Sequence, residues 1–384
     1  MRVGLGATQW ARGTLAGHLD GIGVYTKALW ESLHRHEVQP GSEFVCKTYA
    51  FGNRMPDLKC GRPEVLANHF PVHALCSTVF GAPRRQSEAL RQQIDLFHAT
   101  DHHIPRLRGI PVVANVMDLI PLLHPEWVSP RLRSAKNWLF GQTVRGSDHI
   151  ITISEYSKRD LIEHLGVAAE RISVTPLGVD PVYFERIEEA ALMQVLQENA
   201  LRPGFFLCVG TLQPRKNLER VLTAHQSLPA HLRKAHPLVV VGRAGWRAET
   251  LIPQLRALES RGEGRWLDYL PRNGVLALLQ SASAVVFPSL YEGFGLPVIE
   301  AFAARCPVIT SNTTSLPEVA GDAALLVDPL DESAIAAAMN EVLAAPDQTA
   351  ARVQRGVLRA RTYSWDACGY HTLDVYRRVI QQYH

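Results

Sequence analysis

No stretch of this chain approaches the ~20 consecutive apolar residues that a membrane-crossing helix needs. The start, Met1-Arg2-Val3-Gly4-Leu5-Gly6, also lacks the long apolar segment of a secretion signal. The expectation is a protein that neither spans a membrane nor is secreted. Its six cysteines (Cys46, Cys60, Cys76, Cys208, Cys306, Cys368) are scattered, with no C-x-x-C pair or zinc-finger spacing. That points to a reducing, cytoplasmic compartment and to no metal. A G-x-x-x-x-G-K-[ST] loop, a G-x-S-x-G elbow and a D-x-D pair are all missing. The first two absences argue against P-loop phosphoryl transfer and α/β-hydrolase chemistry. The third removes the usual tether of a hard cation on a nucleotide diphosphate. Gly4-Leu5-Gly6 opens like a dinucleotide fingerprint, but Gln9 stands where its third glycine belongs.

Charge of either sign is also scarce in excess. The formal net charge is +3, and the basic surplus lies in the first half. Arg84, Arg85 and Arg91 form one basic group; Arg131, Arg133 and Lys136 form another, next to Trp138, Leu139 and Phe140. A basic segment with an apolar neighbour can sit on an anionic bilayer, so peripheral contact with the inner face of the cell membrane is one expectation. A solvated helix face is the blander alternative. With no finger, RNP-like motif or strongly basic domain, nucleic acid is not an expected partner.

At 384 residues the chain exceeds what one core holds comfortably, so two domains are expected. From Phe205 onward short apolar runs alternate with helical patterns. Strands are expected at 206–209, 238–241, 266–270, 284–287 and 307–310. Helices are expected at 217–227, 249–258, 275–281, 298–304 and 335–343. Near-unbroken Val/Leu runs mark strands buried on both faces, hence a parallel sheet covered by helices. The first half repeats the rhythm, with strands at 2–5, 44–49, 95–97, 111–116 and 149–153. Helices there span 24–34 and 155–165, the second with Ser154 as N-cap and Gly166 at its end. Pro176-Leu177-Gly178-Val179-Asp180-Pro181 is the natural hinge. The expected fold class is α/β: two Rossmann-like doubly wound domains facing a cleft, with boundaries at 1–180 and 181–365.

The densest chemistry lies in Tyr291-Glu292-Gly293-Phe294-Gly295-Leu296-Pro297-Val298-Ile299-Glu300. A glycine-jointed turn runs into a helix whose first turn holds Pro297. The amides of Gly295 and Leu296 at the positive end of the helix dipole suit a phosphate. The flanking carboxylates, Glu292 and Glu300, are poor phosphate ligands but good acceptors for hydroxyls. Hydroxyls on both sides of a diphosphate describe a nucleotide sugar. Gly210-Thr211-Leu212-Gln213-Pro214-Arg215-Lys216-Asn217 follows a strand and carries adjacent cations. Arg215 can grip two oxygens in a fork and Lys216 adds a point charge. Cations at a helix start oppose the dipole, so an anion is expected there. Gly21-Ile22-Gly23-Val24-Tyr25 opens a helix and lets backbone approach a ligand, though a plain turn explains it equally well. His98-Ala99-Thr100-Asp101-His102-His103 looks like a metal cluster, yet it follows a strand and does not set its imidazoles on one face. His98 and Tyr25 are expected on the acceptor side.

Together these stretches resemble the family-4 retaining glycosyltransferases of the GT-B fold, over most of the chain. Asp118-Leu119-Ile120-Pro121, Ile153-Ser154-Glu155-Tyr156-Ser157-Lys158, Pro176 to Asp180, Gly210 to Asn217, Phe287 to Pro297, and Ser315-Leu316-Pro317-Glu318-Val319 carry the likeness. Glu292 and Glu300, with seven residues between them, match the family's E-x7-E signature. The resemblance implies that Glu300 binds the nucleotide ribose and Glu292 the donor sugar hydroxyls. It implies that Arg215 and Lys216 hold the diphosphate, helped by backbone at Gly210, Thr211, Gly293, Phe294, Gly295, Leu296 and, across the cleft, Gly23. Tyr269 and Leu270 fall where the base pocket would be, and a last helix (366–384) opened by Tyr363-Ser364-Trp365 would cross back onto the first domain. Two departures stand out: Met117 replaces a histidine before Asp118, and Thr211 replaces a first phosphate-binding arginine. The G-T-x-x-P-R-K-N subgroup often works on mannose-like donors. The implied activity is metal-independent transfer of a hexosyl group from a nucleoside diphosphate sugar, of the GDP-mannose type, to a glycan or lipid-linked oligosaccharide. Asp118 is the nearest candidate for a carboxylate nucleophile. A front-face route, with the departing phosphate taking the acceptor's proton, needs no such nucleophile. The alternative is a catalytically inactive nucleotide-sugar-binding partner protein.

Overall fold

The computed structural model describes residues 1–81, 83–127 and 133–383; Arg131 of the second basic group lies outside them. The chain divides into two compact units. One comprises Met1–Leu123, Pro130–Gly178 and Trp365–His384, the other His124–Ser129 and Val179–Ser364.

In the first unit seven strands form one sheet: β1 (Arg2–Gly6), β2 (Val45–Phe51), β3 (Glu64–Ala67), β4 (Leu96–Ala99), β5 (Val112–Asn115), β6 (His149–Thr152) and β7 (Ile172–Val174). Their order is β3-β2-β1-β4-β5-β6-β7 and every pair is parallel. Val3, Leu5, Leu96, Phe97, Val113, Ala114, Ile150 and Ile151 are almost wholly buried. That is the two-sided burial which apolar runs in a parallel sheet require. Helix Glu155–Leu165 starts where expected, the Ser154 hydroxyl accepting from the Ser157 amide at 3.0 Å, and Gly166 closes it.

The last helix, Trp365–Tyr383, belongs to this first unit and packs along helix Gly21–Glu37. A Cβ on Gly369 would stand 2.2 Å from the Ser32 hydroxyl, so only glycine permits this approach. A buried polar chain fixes the docking. The Tyr376 hydroxyl lies 2.6 Å from His98 Nδ1, His98 Nε2 lies 3.2 Å from Asn115 Oδ1, and the Tyr25 hydroxyl donates to that oxygen at 2.8 Å.

The second unit holds six parallel strands: β8 (Phe206–Val209), β9 (Leu238–Val241), β10 (Gly264–Leu267), β11 (Ala284–Phe287), β12 (Val308–Ser311) and β13 (Leu325–Val327). Their order is β10-β9-β8-β11-β12-β13. The chain therefore winds outward from β8 in one direction and restarts at β11 in the other. The crevice beyond the carboxyl ends of β8 and β11 is the topological switch point, where ligands of open α/β sheets bind. β10 pairs in register from Gly264↔Leu238 to Leu267↔Val241. It thus begins and ends earlier than the 266–270 expected, which puts Tyr269 and Leu270 in the loop beyond the strand. Three short edge strands, β3, β7 and β13, add to those expected from the apolar runs.

Candidate functional site

The loop after β8 folds into a single tight turn, Pro214–Lys216, before helix Leu218–Ser227. Asn217 joins the two in a left-handed conformation, with φ +60°. Its buried amide donates to the Pro288 carbonyl at 3.0 Å and the Pro329 carbonyl at 2.6 Å. The Leu290 amide donates to the Arg215 carbonyl at 2.8 Å. These bonds clamp the β8 loop onto the β11 loop and bring Arg215, Lys216 and Glu292 together.

Glu292 accepts both cations. One carboxylate oxygen lies 2.6 Å from Lys216 Nζ and the other 2.7 Å from an Arg215 guanidinium nitrogen. All three side chains are largely buried. Lys216 Nζ also sits 4.3 Å from the centre of the Phe287 ring, a cation–π contact. Burial lowers the Lys216 pKa to about 8; Glu292 opposes that shift and the neighbouring Arg215 adds to it. For Glu292, burial alone would raise the carboxyl, but Lys216 and Arg215 outweigh it and hold the group below its ordinary value. The result is two cations and one anion in a low-dielectric pocket. A diphosphate would meet a net positive site whose donors are already in position.

The turn that follows is held by Ser315, whose hydroxyl lies 2.8 Å from the Glu292 carbonyl and 3.0 Å from the Phe294 carbonyl. Gly295 has φ +117°, and a Cβ there would stand 2.7 Å from Leu316 Cδ2. Glycine alone suits that joint. Helix Leu296–Ala303 then starts with Pro297 in its first turn. One turn in, Glu300 meets Tyr183 of the segment after Asp180 through a hydroxyl–carboxylate hydrogen bond. Burial pushes the Glu300 pKa up to about 7, Tyr183 and Arg272 pulling it down and Asp180 pushing it further up. Arg272 in turn pairs with Asp180 at 2.5 Å.

Gly210 and Thr211 form the exit from β8, with Lys216 Cε about van der Waals distance from where a Gly210 Cβ would be. Tyr269 lies along the same sheet edge, 59% exposed, with the Arg243 guanidinium 5.1 Å from its ring centre. The contact is a cation–π pair at the surface, and Leu270 adjoins it in sequence.

The remaining expected residues belong to the first unit. Asp118 Oδ1 accepts from the Ile120 amide at 3.0 Å and so starts the short helix Ile120–Leu123. The Gly23 amide is engaged by Asp20 Oδ1 at 2.7 Å, as a helix cap. A ligand at that amide has to displace a carboxylate. His98 and Tyr25, expected on the acceptor side, are both essentially unexposed, and their polar atoms serve the Tyr376–His98–Asn115–Tyr25 chain. Nor do the neighbouring histidines gather as ligands, since His103 is held by Asp101 at 2.8 Å. Among the described residues no three His, Cys, Asp or Glu side chains group as metal ligands. Asn217, Ser315, Arg243 and Tyr183 went unmarked as site residues in the sequence. Two had a signal: Asn217 in its place at the end of G-T-x-x-P-R-K-N, and Ser315 at the start of Ser315-Leu316-Pro317-Glu318-Val319.

Two family models match the chain. Residues 19–183 match one described as Glycosyltransferase Family 4, and residues 195–357 one described as Glycosyl transferases group 1. Sugar transfer is thus the chemistry that both halves of the chain share with known proteins. The chain is 35% identical over 298 residues to the O-antigen chain mannosyltransferase B of Escherichia coli, covering 77% of both proteins. It belongs to the family-4 glycosyltransferases of the GT-B fold, in their mannosyltransferase subgroup. The serotype-specific mannosyltransferase WbdA of Escherichia coli is 29% identical over 271 residues, and the chain spans about a third (33%) of its length. Among solved structures, a sucrose-phosphate synthase from Thermosynechococcus elongatus has a TM-score of 0.76 at 17% identity, with 100% of both chains covered. WaaG, a glycosyltransferase involved in lipopolysaccharide biosynthesis, gives 0.70 at 17% identity, covering 97% of this chain and 99% of its own. At such identities these two likenesses speak to the fold alone.

Proposed function

We propose that the protein transfers a mannose-like hexosyl group from a nucleoside diphosphate sugar of the GDP-mannose type to a hydroxyl of a glycan or lipid-linked oligosaccharide, in the assembly of a surface polysaccharide. The observation that carries this reading is the convergence of Arg215 and Lys216 on Glu292 at the switch point of the second sheet. The mannosyltransferase names of the relatives support the donor and the pathway class.

In this reading the diphosphate lies against Arg215, Lys216 and the start of helix Leu296–Ala303. Negative charge grows on it as the sugar–phosphate bond breaks, and these groups stabilise that charge more in the transition state than before. No metal is required for this. Glu292 exchanges part of its hold on the cations for the donor sugar's hydroxyls. Glu300 takes the ribose and Tyr269 with Leu270 the base. Retention follows a front-face route, with the leaving phosphate receiving the acceptor's proton and Asp118 serving structure.

The test is incubation with GDP-mannose, UDP-glucose and dTDP-rhamnose in EDTA, each with a mannose-terminated acceptor. The expected result is acceptor-dependent GDP release, with the product's new linkage in the donor's anomeric configuration. Transfer from another donor alone would overturn the mannose assignment. An inverted linkage would overturn retention, and a strict requirement for added divalent metal would overturn the metal-free route.

A further inference from the structure

The segment His124-Pro125-Glu126-Trp127 belongs to the second unit, although the short helix Ile120–Leu123 just before it belongs to the first. It folds into one tight 3-10 turn, Pro125–Trp127. Pro125 presets the backbone, and the Trp127 amide donates to the His124 carbonyl at 3.0 Å. Side chains three apart eclipse in such a turn. The His124 and Trp127 rings accordingly stack, with centres 3.9 Å apart and planes 16° from parallel. His124 Nδ1 lies 3.2 Å from a Glu126 carboxylate oxygen, which fixes the imidazole in that plane.

This stack is open to solvent. The His124 side chain is 32% exposed and that of Glu126 51%, and Trp127 is part-exposed. It rests on the loop that leads to Glu292, where the His124 ring meets the Tyr291 ring edge to face, 5.3 Å between centres. Tyr291 is itself buried, and its carbonyl accepts from an Arg215 guanidinium nitrogen at 3.5 Å. Propping Tyr291 would need only the histidine. The indole stacked on it adds a flat apolar surface, with a carboxylate at its side, one residue from Glu292.

We propose that His124 and Trp127 form the platform on which the acceptor's terminal sugar ring packs, with Glu126 accepting from one of its hydroxyls. A hexose has polar edges and an apolar C–H face, and an aromatic ring beside a carboxylate matches both. Transfer needs the acceptor hydroxyl within reach of the anomeric carbon, so the acceptor ring has to lie beside the donor sugar. The inference rests on the donor reading for that sugar's place at Glu292. The nucleotide base is the poorer occupant, because the diphosphate separates it from the sugar.

The test is calorimetric titration of the full chain with a mannose-terminated oligosaccharide, with and without GDP, on wild type, Trp127→Ala and Trp127→Phe. GDP titrations, thermal melts and acceptor kinetics run in parallel. Trp127→Ala should weaken the oligosaccharide and raise the acceptor KM by about tenfold, and Trp127→Phe, which keeps a ring, by less than about threefold. All three proteins should share one GDP affinity and one thermal transition, which a prop under the Glu292 loop would not allow. Equal oligosaccharide affinity in wild type and Trp127→Ala overturns the proposal, as does absence of oligosaccharide binding by wild type under both conditions. A loss of GDP affinity in Trp127→Ala as large as its loss of oligosaccharide affinity also overturns it, placing the base or the order of the loop at this ring. Wild type that binds the oligosaccharide through Trp127 but no GDP upholds the platform and strikes the donor reading alone.

Discussion

Glu292→Gln should destabilise the free protein, tighten its grip on a bare diphosphate and slow its turnover, all at once. The carboxylate neutralises Lys216 at 2.6 Å and Arg215 at 2.7 Å, with only 11% of its side chain exposed. Removing one charge from a buried pair costs about 3–5 kcal/mol. Two features lower that figure here. Glutamine keeps an oxygen for one of the donors, and Lys216, whose pKa already lies at about 8, can shed its proton at modest cost. A loss of about 2–3 kcal/mol remains. For a unit of this size each kcal/mol moves the melting temperature by roughly 2–4 °C, so the second unit should melt about 5–10 °C lower. GDP then becomes the only anion within reach of the two cations. Its affinity should rise roughly tenfold, about 1.4 kcal/mol. Turnover should fall by about 10- to 100-fold, the value of a charged hydrogen bond to the donor sugar. Scanning calorimetry with and without GDP, paired with steady-state kinetics, reads all three. A melting temperature within about 1 °C of wild type, combined with unchanged GDP affinity, would refute the reasoning.

Other outcomes follow from the same site. Glu300 has its pKa raised to about 7, so its neutral form is favoured by the fold. Its contribution to stability is full below the ordinary carboxylate range and is lost as pH rises through about 7. Ribose hydroxyls need the ionised form as acceptor, so the donor KM should fall between pH 6 and 8, and Glu300→Gln should flatten that profile at a higher KM. Gly295→Ala forces a Cβ to 2.7 Å from Leu316 Cδ2 at φ +117°. It should cost about 1–3 kcal/mol, read by thermal melting, and reduce turnover by displacing the start of the following helix. Asp118→Asn keeps an oxygen for the Ile120 amide and should retain substantial transfer activity; loss of nearly all activity with intact folding would restore Asp118 as a nucleophile.

Legibility in the sequence followed the physics of burial. β8, β9 and β11 sit in the middle of their sheet, are apolar throughout, and have the bounds expected from their Val and Leu runs. β3, β7 and β13 are edge strands of only three or four residues, too short to show a period, and β3 and β7 carry Glu64 and Ser173 among their apolar residues. Glu292 and Glu300 stood out because a turn and a helix start flank them, and Arg215 and Lys216 because adjacent cations oppose a helix dipole. That Glu292 pairs with those cations was hidden, since 76 residues separate it from Lys216 and the link is made by Asn217 reaching Pro288. The partners of His98 were equally hidden: it lies between Phe97 and Ala99 in β4, and it bonds Asn115 and Tyr376, the latter 278 residues away on the last helix.

The most direct measurement is calorimetric titration of wild type and Lys216→Ala with GDP and with UDP, both in excess EDTA. The account predicts that GDP binds the wild type without metal and more tightly than UDP, and that Lys216→Ala weakens GDP by tenfold or more. Equal GDP affinity in the two proteins, or no binding of either nucleotide to a folded wild type, would contradict it.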